Sequence, residues 1–593
     1  MKPSSVIQPP AARWRRLTGP AVILLAALVA VAPQLIRGNS CGHDFDYHFV
    51  AWLNCLNGWQ HGIVYPHWAD SGNFRAGDPR LLFYPPLTWM LGAALGAIFS
   101  WTLVPIVLTF LLLAATGLAV RALARPALDD GPATLAGCAA LFSGYTLFTA
   151  YERTAFGELT GGFWVPLLLL FVLRDRNPSG SLFKRAFDGS TAPLALVVAG
   201  VWLSDAPLGV MGSYLLAAVA VTSVPLKRSL APVLRAATAT ALGMGLAGLY
   251  LVPAAWEQRW VDIRQATADP SDMIENSWLF ARHADPQFNP HDIVLLRVSL
   301  IAVVMLAAAL AGLFFTWRRG RLPASRSWWI PLALIPFAIL FLQLPISLPV
   351  WNLLPKLRLL QFPWRWMVAL GAPMGIFLAS AVWVTRGWRR VAVVAACTVV
   401  FLGASAAAGQ FLFQTCDDED SVASMLSIYR SGPGFEGDGE FAPPGTNSSL
   451  VATGLPAACL VRDPTVLLGR GSEETVPDWN ASQGSCEATF TAQEHGPEHL
   501  RITVTTGHAG YLILRLQGFP AWRVKVNGRL ITHMPRRADG LMVVPVPQGP
   551  VNLTVDWTTT PDVLGARWLS LLALLLITAL FLLERKLFQT RLS

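Results

Sequence analysis

Two aspartates and two histidines fall within six residues in HDFDYH (43–48). Asp44 and Asp46 offer carboxylates that can take a proton from an attacking hydroxyl, and Tyr47 and His48 are side chains able to orient one. In helical geometry Asp44 shares a face with Tyr47 and His48, while Asp46 falls with Phe49 and Val50 on a face suited to packing. In extended geometry Asp44, Asp46 and His48 align instead. A second acidic stretch, YERTAFGE (151–158), supplies Glu152, Arg153 and Glu158. A third stretch, LPKLRLLQFPWRWMV (354–368), supplies Lys356, Arg358 and Arg365 among tryptophans. Guanidinium forks match phosphate oxygens two at a time. Acids and arginines together suit transfer from a phosphate-bearing donor, with cations for the leaving group and a carboxylate for the acceptor hydroxyl. Asp205, in LSDAPLG (203–209), is a weaker candidate, because Asp before Ala-Pro also makes an ordinary helix-joining turn. His43, His48, His61 and His67 could ligate a divalent metal with Asp44. Four loop histidines equally serve as hydrogen-bonding surface residues, so no metal is assigned. The same residues have a chemically silent reading as an interfacial aromatic belt with solvated acids and snorkelling arginines.

The element that must hold these residues is a membrane. Of 593 residues 53% are hydrophobic and only 14% charged, and the mean hydropathy is +0.47; soluble chains carry charge on about a quarter of their residues. Twelve apolar segments, most near bilayer length, are read as spans: 18–37, 101–123, 132–150, 160–174, 192–204, 206–224, 233–252, 295–316, 328–348, 363–385, 390–411 and 566–584. The net charge of +9 sits in clusters between these runs. It therefore reads as a topology signal and not as a nucleic-acid footprint. With a cytoplasmic N-terminus and single crossings, seven basic clusters all fall inside. A crossing at 85–99 would invert every later loop, so that apolar stretch is expected to be an interfacial or re-entrant helix. RWRR (13–16) and the run after it resemble a signal peptide, but Pro33 is poor at a cleavage junction, and an uncleaved first helix is expected.

The outer face then collects 38–100, 151–159, 253–294, 349–362 and 412–565. Runs with period-two alternation between 500 and 560, with the turn signal VNGRL, read as a small β-sandwich there. The chain divides into a multi-span membrane domain (1–411, with first outer loop 38–100), an extracytoplasmic β-rich domain (412–565), and a last helix with a cytoplasmic tail (566–593). Cys41, Cys55, Cys416, Cys459 and Cys486 fall on the outer side, where disulfides are permitted; their pairing is open.

This arrangement resembles the GT-C class of membrane glycosyltransferases. HDFDYH matches that class's acidic motif in the first outer loop, and YERTAFGE its second acid, between the third and fourth spans. LLFYPPL (81–87), LLQFPWRW (359–366), GEFAPPG (439–445) and GFPAWRVKVNG (518–528) resemble a group of bacterial membrane proteins labelled pyruvoyl-tetrahydropterin-synthase-related. No three-histidine zinc site or pterin pocket pattern accompanies that label. DFD departs from the adjacent acid pairs common in the class, which leaves open which aspartate is the base. The resemblance implies a polytopic α-helical GT-C-like protein of about 12 spans with a C-terminal β-sandwich, in a bacterial inner membrane among its lipids. It implies a polyprenyl-phosphate-linked sugar donor and an acceptor not yet assigned. Asp44 is expected to be the base ahead of Asp46. Glu152 or Glu158 would be a second acid or metal ligand, and Arg153 and Arg365 phosphate contacts. A non-catalytic lipid or glycan transporter, or an envelope assembly factor, is the competing reading.

Overall fold

In a bilayer an apolar run must satisfy its backbone internally, and helices do so. The computed structural model describes residues 10–175, 180–451, 453–462, 464 and 489–589. Among these residues six helices are long and apolar enough to cross: Val104–Ala124, Phe156–Leu173, Ala206–Lys227, Pro286–Arg318, Trp388–Leu412 and Pro561–Lys586. Four more pairs qualify jointly but are bent, the gentlest at 42° (Asp130–Leu141 with Gly144–Arg153) and 48° (Pro363–Ala369 with Gly371–Val382). That gives six spans, or up to ten, against the expected twelve. The other two expected spans meet shorter apolar helices, Leu17–Ala30 and Thr191–Ser204. The first stops short because the helix breaks at Val31, ahead of Pro33. The second has 14 residues; at 1.5 Å per residue it is shorter than the roughly 30 Å hydrocarbon core.

The segment 38–100, expected on the outer side, is built from two packed helices, Phe45–Gln60 and Pro86–Gly96. Pro86 occupies the first turn of its helix, where its missing N–H costs nothing. At eleven residues that helix is not among the candidate spans. Gly92 lets the two helices close, since a Cβ there would lie 2.3 Å from the Trp52 indole. The Thr88 hydroxyl donates to the Ser204 carbonyl at 2.9 Å and so ties this loop to the turn that carries Asp205.

The C-terminal region forms two antiparallel sheets. Strands β1 (Ala458–Val461), β4 (Gly510–Gln517) and β7 (Leu541–Val546) make one, in the order β1-β4-β7. Strands β2 (Thr489–Gly496), β3 (His499–Thr506), β5 (Trp522–Val526), β6 (Arg529–Ile531) and β8 (Gly549–Trp557) make the other, in the order β2-β3-β8-β5-β6. Asn527 and Gly528, both at positive φ, turn β5 into β6 as the VNGRL signal predicted. Alternation points Ile502, Leu512, Val544 and Leu553 into one core shared by both sheets. Trp68 of the segment 38–100 enters that core, with ring centroids 5.1 Å from Trp522 and 5.4 Å from Trp557. A disulfide joins Cys41 to Cys416. Cys459 is also disulfide-bonded, Cys55 is a buried free thiol, and Cys486 lies outside the described residues.

Candidate functional site

The segment just before the helix Phe45–Gln60 and the end of a broken helix are laced together backbone to backbone. Residues 149–153 widen into a π-helical turn, a feature found often at functional sites. Thr154 ends it in the left-handed conformation. The Asp44 amide donates to the Arg153 carbonyl at 2.8 Å, and the His43 amide to the Glu152 carbonyl at 3.4 Å. The Gly42 amide donates to Thr154 Oγ1, which in turn donates to the Ser40 carbonyl, both at 3.0 Å. Only glycine fits at 42, because a Cβ would sit 2.5 Å from the Glu152 carbonyl oxygen.

That lacing sets a chain of charges. Arg153 Nη2 donates to Asp44 Oδ2 at 2.9 Å, and Nη1 donates to Glu158 Oε2 at 2.5 Å. Tyr145 donates its hydroxyl proton to Glu158 Oε1. Arg365 Nε stands 3.6 Å from Glu158 Oε2 and has no hydrogen-bond partner although it is buried. Both arginines rest on one aromatic stack. Arg365 lies 5.2 Å from the Phe362 ring, Phe362 stacks on Trp364 at 4.7 Å, and Arg153 lies 5.2 Å from Trp364. Arg153 and Glu158 are buried, while the Asp44 side chain keeps 27% of its surface exposed. Asp44 is therefore the open end of the chain.

Burial opposes charge on Asp44, but the Arg153 guanidinium and the His43 hydrogen bond outweigh it and hold the carboxyl well below the usual range. The same hydrogen bond, 2.9 Å from His43 Nδ1 to Asp44 Oδ1, raises His43. His48 is pushed down to about 4 by burial, against the pull of Asp44. Asp205 caps the Ala206–Lys227 helix by accepting the Leu208 amide at 3.2 Å. It packs against Gly157, beside Glu158. Burial pushes Asp205 up to about 7, with Arg365 pulling it back and Glu158 adding to the rise. Among the described residues it is the one acid of this group with no arginine in salt-bridge contact.

The structure brings Asp44, Arg153, Glu158 and Arg365 together, and adds Asp205, Tyr145 and His43. It does not bring Glu152, Lys356, Arg358 or Asp46 into that chain. Glu152 turns the opposite way along the π turn and pairs with Arg297 at 2.6 Å. Lys356 and Arg358 are exposed. Positive φ at Lys356 and Gln361 turns this segment away from Arg365, and Arg358 pairs with Glu275 at 2.6 Å. Asp46 does not pack with buried Phe49 and Val50; it is exposed. Neither Tyr47 nor His48 orients the Asp44 carboxylate by hydrogen bonding; His43 does so. The four histidines are dispersed. His61 ends its helix on the Asn57 carbonyl, and His67 is buried against Tyr65 and Trp557. Among the described residues no group of three or more His, Cys, Asp or Glu side chains is arranged to hold a metal ion.

A model of the membrane-protein family described as "6-pyruvoyl-tetrahydropterin synthase related domain" matches residues 81–414, more than half the chain. No curated protein matches it in sequence. Among solved structures, the chain is similar to the Archaeoglobus fulgidus oligosaccharyltransferase tethered to an acceptor peptide, at TM-score 0.40 and 13% identity over 68% of this chain. It spans 57% of the length of that protein. It is similar to the mycobacterial arabinofuranosyltransferase AftD at TM-score 0.39 and 12% identity, over 93% of this chain and 57% of that one. It is similar to ArnT from Cupriavidus metallidurans, bound to undecaprenyl phosphate, at TM-score 0.32 and 15% identity, over 72% of this chain and 86% of that one.

Proposed function

The chain belongs to the 6-pyruvoyl-tetrahydropterin synthase related family of membrane proteins, and we propose that it is a membrane glycosyltransferase acting on a polyprenyl-phosphate-linked sugar. The observation that carries this reading is the Asp44–Arg153–Glu158–Arg365 chain, an open carboxylate backed by two buried guanidinium groups. The acceptor oxygen bonds to the anomeric carbon as the carbon–oxygen bond to phosphate breaks. The bonding pair leaves with the phosphate oxygen, and the acceptor proton passes to a carboxylate. Arg365, whose Nε has no hydrogen-bond partner, meets the phosphate, and charge-assisted forks of this kind gain strength away from water. Asp44 stays ionised across the working pH range and takes the proton. Asp205 is the second carboxylate able to do so, for the opposite reason that it titrates near neutrality. The reading includes the sidedness expected from charge: a cytoplasmic N-terminus, a bacterial inner membrane, and the site at its outer face.

The test is the glycan content of a deletion strain. Loss of one sugar from an envelope glycan, with the lipid-linked donor accumulating, should be reversed by the wild-type gene and not by Asp44→Asn. Unchanged glycan structures that accumulate on the wrong side of the membrane would favour the transporter reading and sink this one.

A further inference from the structure

The GEFAPPG stretch has no part in the charge chain, yet it reaches the same neighbourhood from the C-terminal side of the chain. Glu440 is 8% exposed and accepts the Tyr84 hydroxyl at 3.4 Å across 356 residues of sequence. Phe441 packs its ring against both Phe83 and Tyr84, each at 6.1 Å. Tyr84 in turn lies against Tyr47, ring centroids 4.3 Å apart at 38°. Tyr84 keeps 37% of its surface exposed, while the Tyr47 hydroxyl is buried with no hydrogen-bond partner. The nearest cation, Arg80, is already committed. It clasps Asp78 with hydrogen bonds of 2.7 and 2.8 Å and leaves only its flat face toward Tyr47. Asp438 accepts the Glu440 amide at 3.4 Å, so two acids stand together beside the tyrosine pair. Asp44 stands at the N-terminal end of the helix whose first turn carries Tyr47, so the Tyr47–Tyr84 pair bridges the two groups.

We propose that Tyr47, Tyr84 and Glu440, with Asp438 behind them, form a carbohydrate-binding subsite that presents the acceptor's hydroxyl to Asp44. A sugar ring has an apolar C–H face that an exposed aromatic ring can cover, and a rim of hydroxyls that carboxylates accept from and phenols can serve in either direction. Ligand sites generally combine aromatic walls with a few convergent polar groups in this way. Burial, with Asp438 adding to it, pushes Glu440 up to about 8. Around pH 8, where the binding is measured, Glu440 therefore carries a proton about half of the time and can donate to a hydroxyl as well as accept. The subsite's place in a reaction rests on the glycosyltransferase reading; its capacity to hold a sugar does not.

The experiment uses the full chain in lipid nanodiscs. Saturation-transfer NMR is recorded against the methyl β-glycosides of glucose, galactose, mannose and N-acetylglucosamine and methyl α-arabinofuranoside. At least one should bind wild type. Tyr84→Ala and Glu440→Gln should each weaken it about tenfold or more, since a charge-assisted hydrogen bond or a stacking face is lost. Tyr84→Phe keeps the ring and should weaken binding less than Tyr84→Ala. Arg358→Gln, at an exposed residue paired with Glu275 outside both groups, should leave glycoside binding within about twofold. Melting temperatures are taken on every sample, and if Tyr84→Ala does not fold, the near-isosteric Tyr84→Phe and Glu440→Gln decide. Failure of every glycoside to bind wild type, or equal binding by wild type and Glu440→Gln, overturns the subsite. Undecaprenyl phosphate, titrated into the same nanodiscs, reports separately on the phosphate-donor reading. If it fails to bind while a glycoside binds in a Glu440-dependent way, that reading falls and the subsite stands.

Discussion

Asp44 and Arg153 are joined twice: the Asp44 amide donates to the Arg153 carbonyl, and the Arg153 guanidinium donates back to the Asp44 carboxylate. The two links can be cut separately. Asp44→Asn keeps the backbone bond and a side-chain oxygen for Arg153. It should lower the melting temperature modestly, because Arg153 keeps Glu158 as its charged partner, while transfer falls about 10²- to 10⁴-fold, the usual loss on removing a general base. Asp46→Asn should stay within a few-fold of wild type, because Asp46 is exposed and outside the charge chain. A folded, inactive Asp46→Asn beside an active Asp44→Asn would reverse the assignment.

Arg153→Gln cuts the other way. It strips the shared cation from Glu158 and Asp44, and breaking a buried pair by removing one partner costs about 3–5 kcal/mol. The partial exposure of Asp44 puts the expected loss near the lower figure, read as a clear drop in melting temperature. Arg365→Gln should be much milder on the same measurement, since its nearest carboxylate oxygen is 3.6 Å away.

Asp205 gives a pH signature. Its folded value, about 7, lies above the ordinary 3.8. If its ionised form takes the proton, activity should rise with pH between about 6 and 8, and Asp205→Asn should abolish that limb. Stability runs the opposite way. The folded state holds this proton more tightly, so the contribution is complete below the ordinary value and disappears as pH rises through 7. A limb unchanged in Asp205→Asn would leave proton transfer to Asp44, whose own titration lies below the usual carboxylate range.

The Cys41–Cys416 disulfide closes a loop of 375 residues. Cys41→Ser should destabilise the protein by about 2–5 kcal/mol. In intact cells the pair should resist thiol-reactive reagents until a reductant is added. Free, reactive thiols at both positions in untreated cells would contradict an outer location.

Sidedness is checked by fusions. A reporter near Leu128 should read cytoplasm, and one near Gly157 the outer side. The reverse at both positions would move the whole charge chain to the other face of the membrane.

The acids of HDFDYH and YERTAFGE were legible because charge patterning put both stretches on one side of the membrane, and the lacing at Gly42 makes that neighbourhood literal. Arg365 was legible as a cation on the side that charge patterning assigns to the outside, where cations are expected to be scarce. Lys356 and Arg358 carried the same signal but follow a chain that two left-handed residues turn outward, which hydropathy cannot encode. Glu152 and Glu158 looked equivalent; the π turn and the break after Thr154 send them to different arginines. Asp205 is a weak candidate in sequence because the same residues make a helix-joining turn, and it does cap that turn, but its neighbour across space is Gly157, a contact without a sequence signal. The Tyr84–Glu440 bond was out of reach for the same reason, its halves lying on either side of most of the chain.

Trp68 carries a consequence for biosynthesis. Its ring is enclosed by Phe519, Trp522 and Trp557, all of which leave the ribosome more than four hundred residues later. At about 5–20 residues per second, the first outer loop waits on the order of half a minute or longer with a tryptophan lacking its cover. During that interval the nascent chain must keep this loop from sticking to lipid or to its neighbours. The same dependence makes the sheet region a poor fragment to produce by itself, since its core would open where an indole from the far end of the polypeptide belongs.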